Sequence, residues 1–439
     1  MSDQRPRGWI RPPFIATLIA ATLLVAVGCG TIHPSPSPSA TPSPSPSPSE
    51  SAAPSASPSP ASSAEVGAIY DAIETQVVEI RGLEPKREVA RRFIDEAELR
   101  TTITQQFDEE TPPEYVAATE RLYKALDLIP ADANLRELTL DLLSGGVAGF
   151  YRLDRNTLYV VSKTGLPGVN ERITFAHEYD HALQDQNTSV FTDQEGILDQ
   201  TDRILARQAI YEGDASLLMT FWGAAHFDLA DIAEMFALSS DPETLALLNR
   251  MPAILKETLL FPYTTGLTYV QLAQLQGGWE AVDNFYDRMP ESTEQILHPE
   301  AYQANEHPVT IDLPDDLADQ LGAGWSVPLE DTFGELQLGI WLRGAGVAAA
   351  TATTATAGWG GDRLAVVEGP NGAWGVVIET TWDNAADATE FLDAAQTAVD
   401  GLSHPARISA PAGQGVTILI ASDDQALLAL DVIFGATGV

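Results

Sequence analysis

The stretch His177-Glu178-Tyr179-Asp180-His181 constrains the fold more than any other feature of the chain, because it places two histidines at positions i and i+4 with a glutamate after the first. On a helix these histidines lie on one face about 6 Å apart, so both imidazoles can reach one metal ion. The flanking residues 171–176 and 182–186 include apolar side chains and neither Pro nor Gly, which favours a helix. The sequence therefore predicts a helical zinc site with the glutamate as a base for a bound water.

A catalytic zinc ion takes three protein ligands and keeps one open position, so a third ligand must come from elsewhere in the chain. Cysteine is excluded, because the only cysteine is Cys29 near the N-terminus. A metzincin would carry a Gly and a third His at positions that are occupied here by Gln184 and Asn187. The remaining candidates are a carboxylate or one of the downstream histidines, His226, His298, His307 and His404.

Glu212 is the best candidate for the third ligand. It lies on a second helical stretch, far enough after the motif for the two helices to lie antiparallel. The nearby Asp214 competes with it, but residues two apart on a helix point in nearly opposite directions, so only one of them can face the metal. Asp214 then acts elsewhere, or a kink at Gly213 turns it into a supporting partner of a histidine ligand.

Residues 177–186, followed by Glu212-Gly213-Asp214-Ala215, resemble the gluzincin class of metallopeptidases. More narrowly, the chain is similar over most of residues 65–439 to a group of exported bacterial and archaeal metallopeptidases. The motifs that carry this narrower resemblance are Gly277-Gly278-Trp279 and the longer segments 292–299 and 358–363. The charged Asp180 departs from the stricter zincin pattern, and on a helix its side chain should point away from the metal face.

The resemblance implies a zincin-like fold with a catalytic site. His177 and His181 would be zinc ligands together with Glu212. Glu178 would be the general base, which takes a proton from water and later passes it to the leaving amine. Gluzincins also carry a neutral donor, downstream of the ligands, that stabilises the oxyanion. The candidates of suitable type are His298, which we rank first, Tyr263 and Tyr269.

The expected function is zinc-dependent hydrolysis of peptide bonds in a protein or peptide substrate. Two alternatives remain: a non-catalytic envelope lipoprotein that keeps the zincin fold for binding or scaffolding, and a metal-dependent hydrolase of a non-peptide amide. Residues 147–153 and 157–162, on either side of the polar segment 154–156, predict a β-hairpin. The second strand of this hairpin could offer its edge to an extended peptide.

The N-terminal sequence predicts export and lipid anchoring. A positively charged start precedes an apolar run over 14–27 that is too short for a comfortable membrane span, so residues 1–28 are interpreted as a signal peptide. The run ends in Ala26-Val27-Gly28-Cys29, which resembles a bacterial lipobox and predicts a lipidated Cys29. Residues 29–64 then form a Ser/Pro-rich stalk. We expect an extracytoplasmic protein attached to the cell membrane.

Pattern and charge complete the predicted organisation, which is of the α+β class. A mainly helical metallopeptidase domain with a small hairpin should occupy residues 65–330, and a smaller α+β module residues 331–439. In that module Gly369-Pro370-Asn371-Gly372 predicts a hairpin, and Asp383 or Asn384 an N-cap for a following helix. The formal net charge of −38 excludes nucleic acid as a favoured partner and leaves the oligomeric state open.

Overall fold

The structure is a computed structural model that describes residues 63–144, 149–161, 166–192, 197–409 and 413–435. The predicted signal peptide, the lipidated Cys29 and almost all of the stalk lie outside the described residues. The described part is a mixed α+β protein in which helices predominate over two small sheets, as the sequence predicts at the level of fold class. None of the helices in the described ranges is both long and apolar enough to cross a bilayer.

The first half of the chain is mainly helical. Its elements up to the second long helix are α1 Ser63–Arg81, β1 Ala90–Ile94, α2 Glu96–Glu110, α3 Pro113–Ala125, α4 Leu135–Ser144, β2 Gly149–Arg152, β3 Thr157–Val161, α5 Val169–Asn187 and α6 Thr201–His226. The elements that follow are α7 Leu229–Ser239, α8 Pro242–Arg250, α9 Ala253–Phe261, a π-helical turn Pro262–Gly266, α10 Leu267–Asp287, α11 Thr293–Leu297, α12 Pro299–Ala304 and α13 Leu317–Leu321.

The remaining elements build the C-terminal module around the larger sheet. They are β4 Ser326–Asp331, α14 Gly334–Gly344, α15 Ala349–Thr356, β5 Trp359–Glu368, β6 Trp374–Trp382, α16 Ala385–Asp400, β7 Ala406–Ile408, β8 Gly415–Ala421 and α17 Asp424–Phe434. The predicted hairpin between β5 and β6 is confirmed. The predicted N-cap is Asn384, whose side chain accepts hydrogen bonds from the first amides of α16.

The smaller sheet has the strand order β1-β3-β2. The predicted hairpin is present as β2 and β3, which pair antiparallel, with Asn156 in the left-handed conformation (φ 45°) at the end of the turn. Strand β1 was not expected, and it pairs with β3 in parallel. Because β3 is therefore the central strand, the prediction that it offers a free edge is wrong. The edge strands of this sheet are β1 and β2.

Helices α5 and α6 form the centre of the N-terminal part. Every residue from Ile173 to Gln184 and from Gln208 to Met219 is buried, so both helices are surrounded by protein instead of showing one polar face. Gly213 of α6 allows a close approach of the π-helical turn, because a Cβ atom at Gly213 would stand only 2.6 Å from the Gly266 carbonyl oxygen. This contact brings the turn that contains Tyr263 against the middle of α6.

The larger sheet is antiparallel, with the order β4-β5-β6-β8-β7. It begins at Ser326, ahead of the predicted boundary at residue 331. On one face the core includes Trp341 and Trp359 together with Ala118 and Leu122 of α3. Because a helix of the N-terminal part fills the core of the C-terminal module, the two predicted domains share a hydrophobic core.

The two long motifs for which the sequence suggests no role lie where these parts meet. Asp362 accepts hydrogen bonds from the backbone amides of Phe333 (2.8 Å) and Gly334 (2.7 Å), and so caps the start of α14. Arg363 forms an ion pair with Asp199 at 2.7 Å. In the other motif, the Thr293 amide donates to a carboxylate at the start of α6, and the Thr293 hydroxyl oxygen accepts from the Leu336 amide of α14 at 3.2 Å. Both motifs therefore fix the module to the helical part.

Candidate metal centre

The structure brings His177, His181 and Glu212 together, as the sequence predicts. The two histidines come from α5 and the glutamate from α6, and all three side chains are completely buried. The Nε2 atoms of the histidines are 3.0 Å apart. Oε2 of Glu212 is 3.2 Å from Nε2 of His177 and 3.3 Å from Nε2 of His181. Three ligating atoms thus converge on one point.

The spacing of these atoms fits a metal ion. Tetrahedral zinc holds nitrogen and oxygen ligands at about 2.0–2.1 Å, which places neighbouring ligand atoms about 3.3 Å from one another. The three observed separations of 3.0, 3.2 and 3.3 Å are close to that value. The cluster can therefore hold a metal ion with little movement of its side chains.

Gln184 orients His181. Its Nε2 donates to Oδ2 of Asp180 and to the backbone carbonyl of Tyr211, both at 3.0 Å. Because the Tyr211 carbonyl can only accept, the amide oxygen of Gln184 must face His181, where it lies 2.9 Å from Nδ1. This contact requires a proton on Nδ1, and in the neutral imidazole it therefore leaves Nε2 with the lone pair that a metal would take. Nothing in the sequence pattern predicts this role of Gln184.

Glu178 lies beside the cluster with one oxygen fixed and one available. Its Oε2 accepts a hydrogen bond from the backbone amide of Tyr151, in edge strand β2, at 2.9 Å. Its Oε1 is buried and has no hydrogen-bond partner among the described residues. Burial raises the pKa of Glu178 to about 8, with Glu212 acting in the same direction and His181 against it. In the ionised carboxylate, Oε1 is free to accept a proton because no described residue donates a hydrogen bond to it.

Burial and the Glu212 carboxylate act in opposite directions on the pKa values of the two histidines. Burial disfavours the charged form of His181, but Glu212 outweighs this effect and raises the pKa of His181 to about 10. For His177 the burial dominates and lowers the pKa. The pKa of Glu212 is lowered, because the two histidines overcome its burial. The three groups thus form one coupled unit in which Glu212 remains ionised.

Of the three predicted oxyanion donors, only Tyr263 stands at the cluster. It hydrogen-bonds Glu212, and its ring centroid is 6.4 Å from that of His177. Burial, followed by Glu212 and Glu178, raises the pKa of Tyr263 well above its usual value, so its hydroxyl keeps its proton. Tyr269 instead packs against aromatic rings of α10 and α12.

His298, which the sequence ranks first, does not join the cluster, and we correct that ranking. Its Nε2 lies 2.9 Å from Oε1 of Glu335, on α14 of the C-terminal module. The hydrogen bond to Glu335 raises the pKa of His298. The physical reason is positional: α11 packs between α6 and α14, and the imidazole points to the α14 side.

Asp214 has partners of its own away from the histidines. It therefore acts elsewhere in the fold and does not support a histidine ligand. Arg81 donates to both of its carboxylate oxygens, at 2.8 and 2.9 Å, and the Tyr286 hydroxyl donates at 2.6 Å. Arg81 ends helix α1 and stacks over the ring of Trp279 at 4.7 Å. Asp180 also lies in this interior, where burial, followed by Asp214, raises its pKa to about 8. Its side chain does point away from the metal face, but into the core.

Comparisons with known proteins reach only part of the chain. Residues 323–429 match a family model described as a domain of unknown function, DUF8575, which spans the larger sheet and most of its helices. No curated protein and no solved structure matches the chain. The fold and the site define a mixed α+β protein with a buried cluster of two histidines and one carboxylate that can hold a metal ion.

Proposed function

We propose that this chain is a zinc-dependent peptidase of gluzincin type. The observation that carries the proposal is the convergence of His177, His181 and Glu212 next to a glutamate with a free, buried oxygen. Two imidazoles and one carboxylate form the ligand set of catalytic zinc in several metallopeptidases. A purely structural zinc site would close its fourth position with another ligand and would have no use for Glu178.

Zinc is the metal that this donor set suits best, since imidazole and carboxylate ligands at tetrahedral spacing are typical of it. When bound, zinc would polarise a scissile carbonyl and lower the pKa of a water molecule towards neutrality. The protein residues would supply the remaining functions.

Glu178 would act as the general base through Oε1, while the Tyr151 amide holds Oε2 and fixes the carboxylate plane. The proton that Glu178 accepts would then pass to the leaving amine. Tyr263 would donate its hydroxyl hydrogen to the oxygen on which negative charge develops, because it stays neutral and stands next to Glu212. This assigns to Tyr263 the role that sequence analysis gave first to His298.

A protein or peptide is the substrate class we infer. Strand β2 is an edge strand and contacts Glu178 through its backbone, so an extended peptide could pair with β2 instead of with the central β3. We also propose the extracytoplasmic, lipid-anchored location on the basis of the N-terminal sequence. The alternatives of a scaffold lipoprotein and of a hydrolase of a non-peptide amide are separated by the experiment below.

The test is to measure zinc content and casein cleavage with the full-length protein, comparing wild type with Glu178→Gln. Wild type should hold about one zinc ion per chain and cleave. Glu178→Gln should keep the zinc and lose activity by about 10²–10⁴-fold, because it removes the general base and none of the ligands. Glu171→Gln, the same change in the first turn of α5, is the matched control and should cleave like wild type.

Three outcomes would count against the proposal. If wild type binds no zinc, the metal assignment fails. If Glu178→Gln cleaves as fast as wild type, the catalytic role of Glu178 fails. If zinc is bound but neither casein nor a peptide library is cleaved, the peptidase assignment fails. Hydrolysis of small non-peptide amides would then favour the amide hydrolase, and its absence would favour the scaffold lipoprotein.

A further inference from the structure

A second group of ligating side chains lies where the helical part meets the C-terminal module. Carboxylate oxygens of Glu294, Glu306 and Asp383 are within 4.8 Å of one another. They come from three separate places: α11, the segment after α12, and the turn between β6 and α16. No residue is shared with the candidate zinc centre. The group therefore links the long motif 292–299 to the larger sheet.

Part of this group is buried, which distinguishes it from a surface patch of acidic residues. Glu294 is only 5% exposed, and the influences on its carboxyl are burial and neighbouring charges, with no hydrogen bond from a described residue among the leading ones. Beside it stands Glu335, whose side chain is 4% exposed and whose Oε2 has no hydrogen-bond partner among the described residues. The cationic group that faces Glu294 is His298, which is bound to the other oxygen of Glu335.

Such an arrangement is unfavourable without a cation. Buried carboxylates that lack hydrogen bonds and lie beside like charges lose hydration and repel one another. A single imidazolium cannot balance the four carboxylates of Glu294, Glu306, Glu335 and Asp383. Two of the four, Glu306 and Asp383, are exposed, so an ion can reach the group from solvent and keep water among its ligands.

We propose that Glu294, Glu306 and Asp383 bind a calcium ion that fastens the C-terminal module to the helical part. The oxygens lie within 4.8 Å of one another, which is no more than about twice the Ca²⁺–oxygen distance of about 2.3–2.6 Å. Calcium accepts carboxylates from separate segments in irregular geometry, whereas Mg²⁺ prefers one or two carboxylates in a strict octahedron. All the donors are oxygen, which disfavours zinc here.

The competing explanation is a shared proton. Burial, followed by the nearby Glu335, raises the pKa of Glu294 to about 8, so a protonated Glu294 would also relieve the repulsion. The two explanations differ in what calcium does. If a proton alone is sufficient, added Ca²⁺ has nothing to stabilise.

The experiment measures calcium binding by titration calorimetry and melting temperature on the full-length, zinc-loaded protein in Ca²⁺-depleted buffer. Wild type should bind one Ca²⁺ per chain, more tightly than Mg²⁺, and its melting temperature should rise by about 4 °C or more at saturation. Glu294→Gln and Asp383→Asn should each abolish most of that rise. Without calcium, Glu294→Gln should melt no lower than wild type, because it removes a repelling charge.

Glu300→Gln is the matched control, since Glu300 is an exposed acid of α12 outside the group, and it should keep the full calcium response. Should Glu294→Gln fail to fold, the exposed Asp383→Asn decides the question alone. No binding heat up to about 10 mM, beyond the weakest usual calcium sites, would overturn the proposal, as would a full response in Asp383→Asn. Equal binding of Mg²⁺ would overturn the assignment to calcium. Zinc content and casein cleavage test the peptidase proposal separately.

Discussion

Within the described residues, the candidate zinc cluster joins three side chains of two helices and the acidic group joins three side chains of three separate segments, and the two are built differently. His177, His181 and Glu212 are wholly buried on two long helices, and their atoms already stand at the spacing of a tetrahedral site. In the acidic group, two of the three residues are exposed and lie in connecting segments. The side chains of the first centre already stand in place, whereas those of the second have room to adjust.

The surroundings of the two centres show the same difference. Around the zinc cluster, Gln184 determines the tautomer of His181, the Tyr151 amide holds Glu178, and Tyr263 lies against Glu212. Fixed orientation is what a chemical step requires, because reacting groups must meet within a few tenths of an ångström. Among the described residues, burial and neighbouring charges are the leading influences on the Glu294 carboxylate, with no hydrogen bond among them, which suits a cation that tolerates irregular geometry.

Replacing a ligand should have the largest effect. We expect Glu212→Ala to reduce zinc affinity by more than the roughly 100-fold that loss of a supporting residue can cost, because only two histidines remain. Zinc titration with a competing chelator measures this change. If the two centres are independent, the calcium-dependent rise in melting temperature persists in Glu212→Ala. Retained zinc affinity would show that Glu212 is not a ligand.

Removing the proposed oxyanion donor should have the next largest effect. Tyr263→Phe should lower kcat for casein-derived peptides by about 10²-fold, with zinc content unchanged, because the hydroxyl acts on the developing charge and not on the metal. His298→Ala is the matched comparison, since it removes the donor that pairs with Glu335 beside the acidic group. His298→Ala should leave kcat near the wild-type value. A larger loss of kcat in His298→Ala than in Tyr263→Phe would show that His298 acts at the candidate zinc cluster. It would again rank His298 before Tyr263 as the oxyanion donor.

The convergence of His177 and His181 could be predicted from sequence because its geometry is local. The i, i+4 spacing of His177 and His181 determines that both face one side of α5 whatever the rest of the fold does. Asn384 as an N-cap and the hairpin between β5 and β6 were predictable for the same reason, since caps and tight turns depend on a few neighbouring residues.

Features that depend on pairing between distant parts of the chain were missed. Strand β1 contains two arginines and becomes a strand only because β3 is available as a parallel neighbour, and this pairing removed the free edge expected for β3. Arg81 and Asp214 are far apart in sequence, so the residues around either one do not predict the buried ion pair. The boundary predicted at residue 331 rests on a change of pattern along the chain, and such a pattern cannot show that α3, from early in the chain, completes the core of the larger sheet.

Gln184 gives the smallest and most discriminating test, because it contacts the ligand His181 but not the metal position. Gln184→Leu keeps a side chain of similar size and removes the hydrogen bond that orients the imidazole, so zinc affinity should fall by about 10–100-fold. Gln184→Glu can still accept from Nδ1 of His181, but it cannot donate to Asp180, so it should keep the zinc affinity better while lowering the melting temperature. The measurements are chelator competition for zinc and thermal unfolding of the metal-free protein. If Gln184→Leu binds zinc as tightly as wild type, the zinc cluster does not depend on a preset tautomer, and the contrast with the adjustable acidic group is lost.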